Sequence, residues 1–399
     1  MSQASVTAGL SHHDPDFSLV LGGPLYQLYL RTKLVGPALE LLVRRILAVS
    51  LFCWLPLLLL AGIDRHLIGG VAIPFLLDPE VHIRFLASIP LLIASEVLVH
   101  LRMQRIVGQF LDRGIIADQD RERFHKIIAA ANSMRNSITL EIVMLVLALT
   151  VGYWMWRQNN HPTVSTWYLI GLGTDAHLTA AGQWYAFVSL GIFRFILFRW
   201  YVRLFIWYRF LWQVRKLPLH LNLYHPDQAG GLGFLSGSVL AFTPVLVAQT
   251  MAISGAIFSR ILYTEQRLPA FKMEIAGAII FLMLLVLIPL GFFTIQLHGA
   301  ALIAKREFGA LASHYVDDFR RKWVQGENRT GEPLLGTSDI QSLADLANSF
   351  NVVSEIRLFP ISKQVLVRLA ITVTLPLLPL VLTMVPLGEI IGKLFKLAF

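Results

Sequence analysis

Apolar runs too long for a soluble domain to bury recur along this chain, and they constrain its fold more than any other feature. Seven stretches read as candidate spans: Ile46–Ile63, Phe85–Leu101, Ile138–Trp156, Trp184–Leu204, Phe234–Leu262, Ile275–Leu297 and Leu369–Leu387. Hydrocarbon offers no partner to backbone N–H and C=O groups, so runs of this length with few charges predict transmembrane helices. Of 399 residues 55% are hydrophobic and only 15% charged, where a soluble domain carries about a quarter charged. The expected fold is an all-α polytopic membrane bundle of about seven spans with extended cytoplasmic helices.

Charge placement sets the expected orientation. Between these spans Lys and Arg number 4, 2, 7, 1, 3, 2, 9 and 2 from N- to C-terminus, so alternate segments hold 23 against 7. By the positive-inside rule the N-terminal amphipathic segment 1–45, the loop 102–137 and a helical region 298–368 face the cytoplasm. The membrane domain is then 46–297, and the last span with its tail is 369–399. The net charge of +9 is assigned to anionic headgroups beside the spans and not to nucleic acid. The single cysteine, Cys53, excludes an intrachain disulfide and a cysteine metal site. No signal peptide is read ahead of the first span.

Outside the spans the pattern is helical. Ser338-Asp339-Ile340-Gln341 reads as a capping box opening a helix. Lys305 to Val324 carries no helix stop and is expected to prolong the sixth span. Arg102 to Arg135 reads as a second basic, amphipathic excursion, and Gly326 to Gly336 as a loop. Asn328-Arg329-Thr330 fits a glycosylation sequon, without meaning on a cytoplasmic loop. Pro244 and Pro289 each free a carbonyl within a span and mark candidate kinks.

Four places carry candidate chemistry. Glu96, His100 and Arg194 fall deep inside spans, where an ionisable group is expensive and a functional candidate. Depth counted from Phe85 and Trp184 puts Glu96 and Arg194 level, so a Glu96–Arg194 ion pair is expected. Arg199, Arg203 and Arg209 lie among Trp200, Tyr201, Trp207, Tyr208 and Trp212 and read as an interfacial belt. Ser236, Thr243, Thr250 and Ser254 share one face of the fifth span, lining a path or gluing helices together. Opposite them Ala248, Ala252 and Ala256 suit close packing.

The segment His225-Pro226-Asp227-Gln228-Ala229-Gly230-Gly231-Leu232-Gly233 breaks a helix and starts another. It reads either as a tight turn capped by Asp227 or as an anion or substrate loop built from His225, Asp227, Gly230, Gly231 and Gly233. With His220 it offers at most three metal ligands, so no metal site is expected, and no cofactor motif is present. Nucleophile and metalloprotease motifs are absent as well, so the chain is not read as an enzyme.

Four stretches together resemble an uncharacterised family of bacterial multi-pass membrane proteins. They are Gly22-Gly23-Pro24-Leu25-Tyr26, Trp54-Leu55-Pro56-Leu57-Leu58, Tyr224-His225-Pro226-Asp227 with Gly230-Gly231-Leu232-Gly233, and Asp339-Ile340-Gln341-Ser342-Leu343-Ala344-Asp345-Leu346. The resemblance implies the bacterial inner membrane and supplies no activity. Three functions stay open. The first is an ion-selective channel or solute-conducting pore with the fifth span along the path. The others are a proton-coupled transporter using Glu96, His100 and Arg194, and a non-conducting scaffold or sensor that binds a cytoplasmic partner. Lipid contact and a homo-oligomer are expected in each.

Overall fold

The computed structural model describes residues 17–31, 41–159, 164–171, 176–264, 266–325 and 338–384. Among them the chain is an all-α bundle. In order its elements are α1 (Pro24–Arg31), α2 (Leu42–Ile63), α3 (Pro79–Asp112), α4 (Arg121–Arg135) and α5 (Ile138–Asn159). A two-stranded hairpin, β1 (Leu169–Ile170) with β2 (His177–Leu178), follows. Then come α6 (Ala180–Val214), α7 (Leu232–Tyr263), α8 (Leu268–Val324), α9 (Ser338–Ser354) and α10 (Lys363–Val381).

Six of these helices, α2, α3, α6, α7, α8 and α10, are long and apolar enough to cross a membrane. A seventh is gained if Asp118–Arg135 and Ile138–Thr150, bent by 44° at their junction, form one broken span. The expected loop Gly326–Gly336, the sequon, Pro386, Leu387 and the C-terminal tail lie outside the described residues.

Local chemistry explains the starts of α3 and α6. Asp78 caps α3 by accepting from Glu80 N at 3.1 Å, with Pro79 in the first turn, where its missing N–H costs nothing. Thr179 caps α6 by accepting from Gly182 N at 2.9 Å. Each helix then makes one π turn, at Arg84–Ser88 and Tyr185–Ser189.

The interior helix is α7. The most apolar window of α7 is 67% buried, against 22% for α2 and α10, and α7 packs on α3, α10 and α8. As expected, α8 runs on as one helix of 57 residues, so the boundary drawn at 297/298 falls inside it. The region near Pro289 is a 3₁₀ stretch, Ile288–Phe293.

The helix α9 begins at Ser338, where the capping pattern placed it. It folds back on α8 through Ala301, Ala304, Val353 and Ile356. Asp339 ties the two together, accepting from Lys322 Nζ at 2.8 Å and Trp323 Nε1 at 2.9 Å. The Lys322 ammonium, with the indole N–H, holds the Asp339 carboxyl below its ordinary range.

Candidate functional site

The centre of the bundle holds an ionic lock. Glu96 on α3 accepts from Arg203 Nη2 on α6 at 2.7 Å and pairs with Arg45 Nη2 on α2 at 2.9 Å. Arg199 Nη1 stands 3.7 Å from the same carboxylate, and Arg199 Nε 3.8 Å from Glu141 on α5. All four of Glu96, Arg45, Arg199 and Arg203 are buried. Charges removed from water need close partners, and these partners come from separate helices, so the lock joins α2, α3, α5 and α6. Arg45 also donates to Ile93 O at 3.4 Å, and Arg203 lies over the Trp200 ring at 4.6 Å.

This corrects the expected Glu96–Arg194 pair. Depth was the wrong coordinate, because azimuth decides. At about 100° per residue, Arg199 points roughly 140° and Arg203 roughly 180° away from Arg194 around α6. The face that meets Glu96 is therefore the Arg199–Arg203 face. Arg194 lies toward the hairpin end, in the electrostatic reach of Tyr185 and Arg84, and makes no ion pair among the described residues. The interfacial belt is corrected too: Arg199 and Arg203 are core residues, while Arg209 keeps to the outside, donating to Met134 Sδ at 3.6 Å.

His100, one turn from Glu96 on α3, faces the N-terminal segment. Ser18 Oγ accepts from Val20 N at 3.1 Å and Leu21 N at 2.8 Å, and its hydroxyl meets His100 Nδ1 at 3.0 Å. Arg135 Nη1 donates to Ser18 O at 2.7 Å. Phe17, Leu19 and Val20 are buried, and the Phe17 ring sits 4.9 Å from that of Phe210 on α6. Downstream, Leu25 N donates to Glu141 Oε2 at 2.9 Å. Residues 17–25 are thus a strap laid across the end of the lock. Nothing in the sequence announced the strap, since so short a run shows no period. Arg45 was missed for another reason. It heads an apolar run beside Arg44 and was counted with the N-terminal segment.

The hydroxyl stripe of α7 is turned largely onto its own helix, with Ser236 and Thr243 at the edge of one cleft and Thr250 and Ser254 enclosed. Thr243 Oγ1 donates to Val239 O at 3.0 Å, and Thr250 Oγ1 to Leu246 O at 3.2 Å and Val247 O at 3.0 Å. Thr243, Thr250 and Ser254 are buried among neighbouring helices. Ser236 Oγ returns to Gly233 O at 2.7 Å. Hydroxyls that bond back to their own helix hide their polarity and let α7 pack centrally.

The segment His225–Gly233 resolves in favour of the turn. Asp227 accepts from Ala229 N at 2.9 Å and Gly231 N at 3.1 Å on one oxygen, and from Gly233 N at 2.8 Å on the other. His225 Nδ1 stands 3.0 Å from Asp227 Oδ1. The N–H groups that would bind an outside anion are therefore taken by this side chain. Gly231, φ +90°, is the N-cap of α7, a backbone conformation that L side chains rarely adopt. At Gly230 an added Cβ would lie 3.3 Å from Leu221 and Leu297. Among the described residues no group of three or more His, Cys, Asp or Glu is placed to hold a metal ion.

A second polar cluster, also unread in the sequence, closes the hairpin end. Asp78 accepts from Trp167 Nε1 and from Ser259 Oγ, both at 3.1 Å, tying the loop before β1 to the starts of α3 and the end of α7. Arg84 bonds Glu80, donates to the Tyr185 hydroxyl at 2.7 Å, and lies over the Phe193 ring at 5.5 Å. These contacts hold the spans together. Comparison with protein-family models, characterised proteins and solved structures finds no match, so neither the family resemblance nor a relative lends this membrane bundle a function.

Proposed function

We propose that this chain is an integral membrane channel or solute-conducting pore that passes a small anion, with its path at the lock and not along the α7 stripe. The observation that carries the reading is the convergence of Arg45, Arg199 and Arg203 on the one carboxylate of Glu96 inside the spans. A buried ionisable cluster is a functional candidate by default. Here Glu96 acts as a tethered anion: when it swings out, the guanidinium groups it neutralises become ligands for a permeating one. The strap at residues 17–25 and the closed packing make this conformation the non-conducting one. The proton-coupled alternative loses one of its three residues, because Arg194 stands apart from Glu96 and His100.

Purified protein in liposomes should pass chloride, read by an entrapped halide-quenched dye, faster than sodium, read by an entrapped sodium-sensitive dye. Arg203→Gln should lower that flux and Arg194→Gln should leave it near the original rate. A monodisperse, folded preparation that passes no anion sinks the reading and favours a non-conducting scaffold, with α8 and α9 as the surface for a partner.

The same proposal places the chain in a bacterial inner membrane as a homo-oligomer, with the N-terminus and the α8–α9 arm cytoplasmic. Cysteines introduced at the exposed Ser313 and Gln119 should then escape an impermeant thiol reagent added outside; strong labelling inverts the topology.

A further inference from the structure

A cleft of about 600 Å³ opens where α3 leaves the bundle, between α3, the start of α7 and α10. Four arginines line it: Arg102, Arg105 and Arg113 from α3, and Arg368 from α10. None of the described lining residues is acidic. Two of the arginines are aimed by the backbone they touch. Pro244 has no N–H to give Leu240 O, and Arg102 Nη1 donates to that carbonyl at 2.9 Å. Arg113 Nη1 donates to Gly231 O at 3.3 Å and its guanidinium lies 5.1 Å from the Phe234 ring centroid. Asp227, behind the start of α7, is not among the lining residues, and both its oxygens accept from backbone N–H groups.

The two anchoring contacts fix how α3 and α7 lie against each other. Moving from Arg113 to Arg102 along α3 corresponds to moving from Gly231 to Leu240 along α7, so the helices are antiparallel here. The cleft therefore has two ends. Arg105, Arg113 and Ser236 line the outer one; Leu98, Leu240, Pro244 and Thr243, whose hydroxyl is spent on Val239 O, line the inner one. Arg102 lies 23 residues past Pro79, roughly 35 Å along α3 at 1.5 Å per residue. That is just beyond a hydrocarbon core of about 30 Å, at the level of lipid phosphates.

We infer that this cleft is a binding site for a phosphate-bearing anion, and specifically for the headgroup of an anionic phospholipid whose acyl chain lies on the inner, apolar end. Guanidinium forks match phosphate oxygens in geometry as well as charge. A free phosphate would satisfy the outer end alone and leave the apolar end without a partner. The site is separate from the lock and does not depend on the channel reading.

The test is lipid retention by the intact protein, followed by native mass spectrometry and by melting temperature in neutral detergent. Phosphatidylglycerol should be retained over phosphatidylcholine and should raise the melting temperature. The double variant Arg105→Gln/Arg368→Gln removes two exposed arginines and should lower that preference by roughly thirtyfold. Arg121→Gln/Arg123→Gln removes the same net charge from the exposed start of α4 and should keep the preference. Equal loss in both double variants, or no preference in the unmodified protein, overturns the site. Inorganic phosphate that reproduces the stabilisation without lipid overturns the lipid assignment and leaves a soluble phosphate as the ligand.

Discussion

Arg84 and Tyr185 are bonded side chain to side chain at 2.7 Å, and each is the first residue of a π turn in its own span. A π turn adds one residue to a helix and rotates everything after it. Two such turns, side by side and tied at their first residues, keep α3 and α6 in step. Glu96 lies 12 residues past Arg84, and Arg199 and Arg203 lie 14 and 18 past Tyr185. Helical side chains lean toward the N-terminus of their helix, so the two arginines reach back to the carboxylate.

Glu96→Gln should destabilise the protein by about 3–5 kcal/mol, the cost of leaving buried arginines without their carboxylate. A double-mutant cycle of Glu96 with Arg203 should show coupling above about 0.5 kcal/mol, and one with Arg194 should be additive within that margin. Melting of the detergent-solubilised variants measures both, and coupling to Arg194 alone would contradict the geometry.

Ser18→Ala removes the oxygen that accepts from Val20 N and Leu21 N and that meets His100. The expected loss is about 1–3 kcal/mol, since the two N–H groups stay where water reaches poorly. Limited proteolysis should then cut between residues 17 and 25 faster than in the unmodified chain. Unchanged cleavage would mean that the strap is held by its apolar residues alone.

Asp227→Ala leaves three N–H groups at Ala229, Gly231 and Gly233 without their acceptor. Its cost should be roughly 2–4 kcal/mol, above the ~1 kcal/mol of a single lost helix cap. Gly231→Val should be as harmful by another route, forcing a β-branched residue to φ +90°. A drop in melting temperature no larger than that of an ordinary cap deletion would show that water replaces the carboxylate.

A matched pair of glycines gives opposite signs. At Gly182 an added Cβ would stand 2.0 Å from Tyr168 O, so Gly182→Ala must push the hairpin off α6. At Gly309 nothing lies within 4 Å, and Gly309→Ala within α8 should stabilise by about 0.5–1 kcal/mol. Thermal melting of the two variants should move in opposite directions.

The bundle was legible because its signal is long. Runs of about twenty apolar residues and the basic segments between them survive any detail of packing. The continuation of α8 and the start of α9 were legible because nothing stops the one and the helix signal at Ser338 opens the other. The partners of Glu96 were not. They depend on how α2, α3 and α6 are turned about their axes, and one sequence fixes a face within a helix but not which neighbour that face meets. The same limit hid Asp78, Trp167 and Ser259, which are far apart in the chain and meet only through tertiary packing. Asp227 was read as an end cap, and its wider role needed the positive φ of Gly230 and Gly231 to bring three N–H groups round to it.

The length of α8 makes it a lever. At 1.5 Å per residue its 57 residues extend about 85 Å, while the hydrocarbon core takes about 30 Å. More than half of the helix therefore projects past the bilayer as an arm with no break in its chain of turns. A change of about 5° in tilt within the membrane carries a point 50 Å along the arm through roughly 4 Å. The 3₁₀ stretch at Ile288–Phe293, where the hydrogen-bond step shortens, is its built-in fulcrum. The Asp339 brace to Lys322 and Trp323 grips the far tip, so a hand placed on α9 is also a hand on the spans.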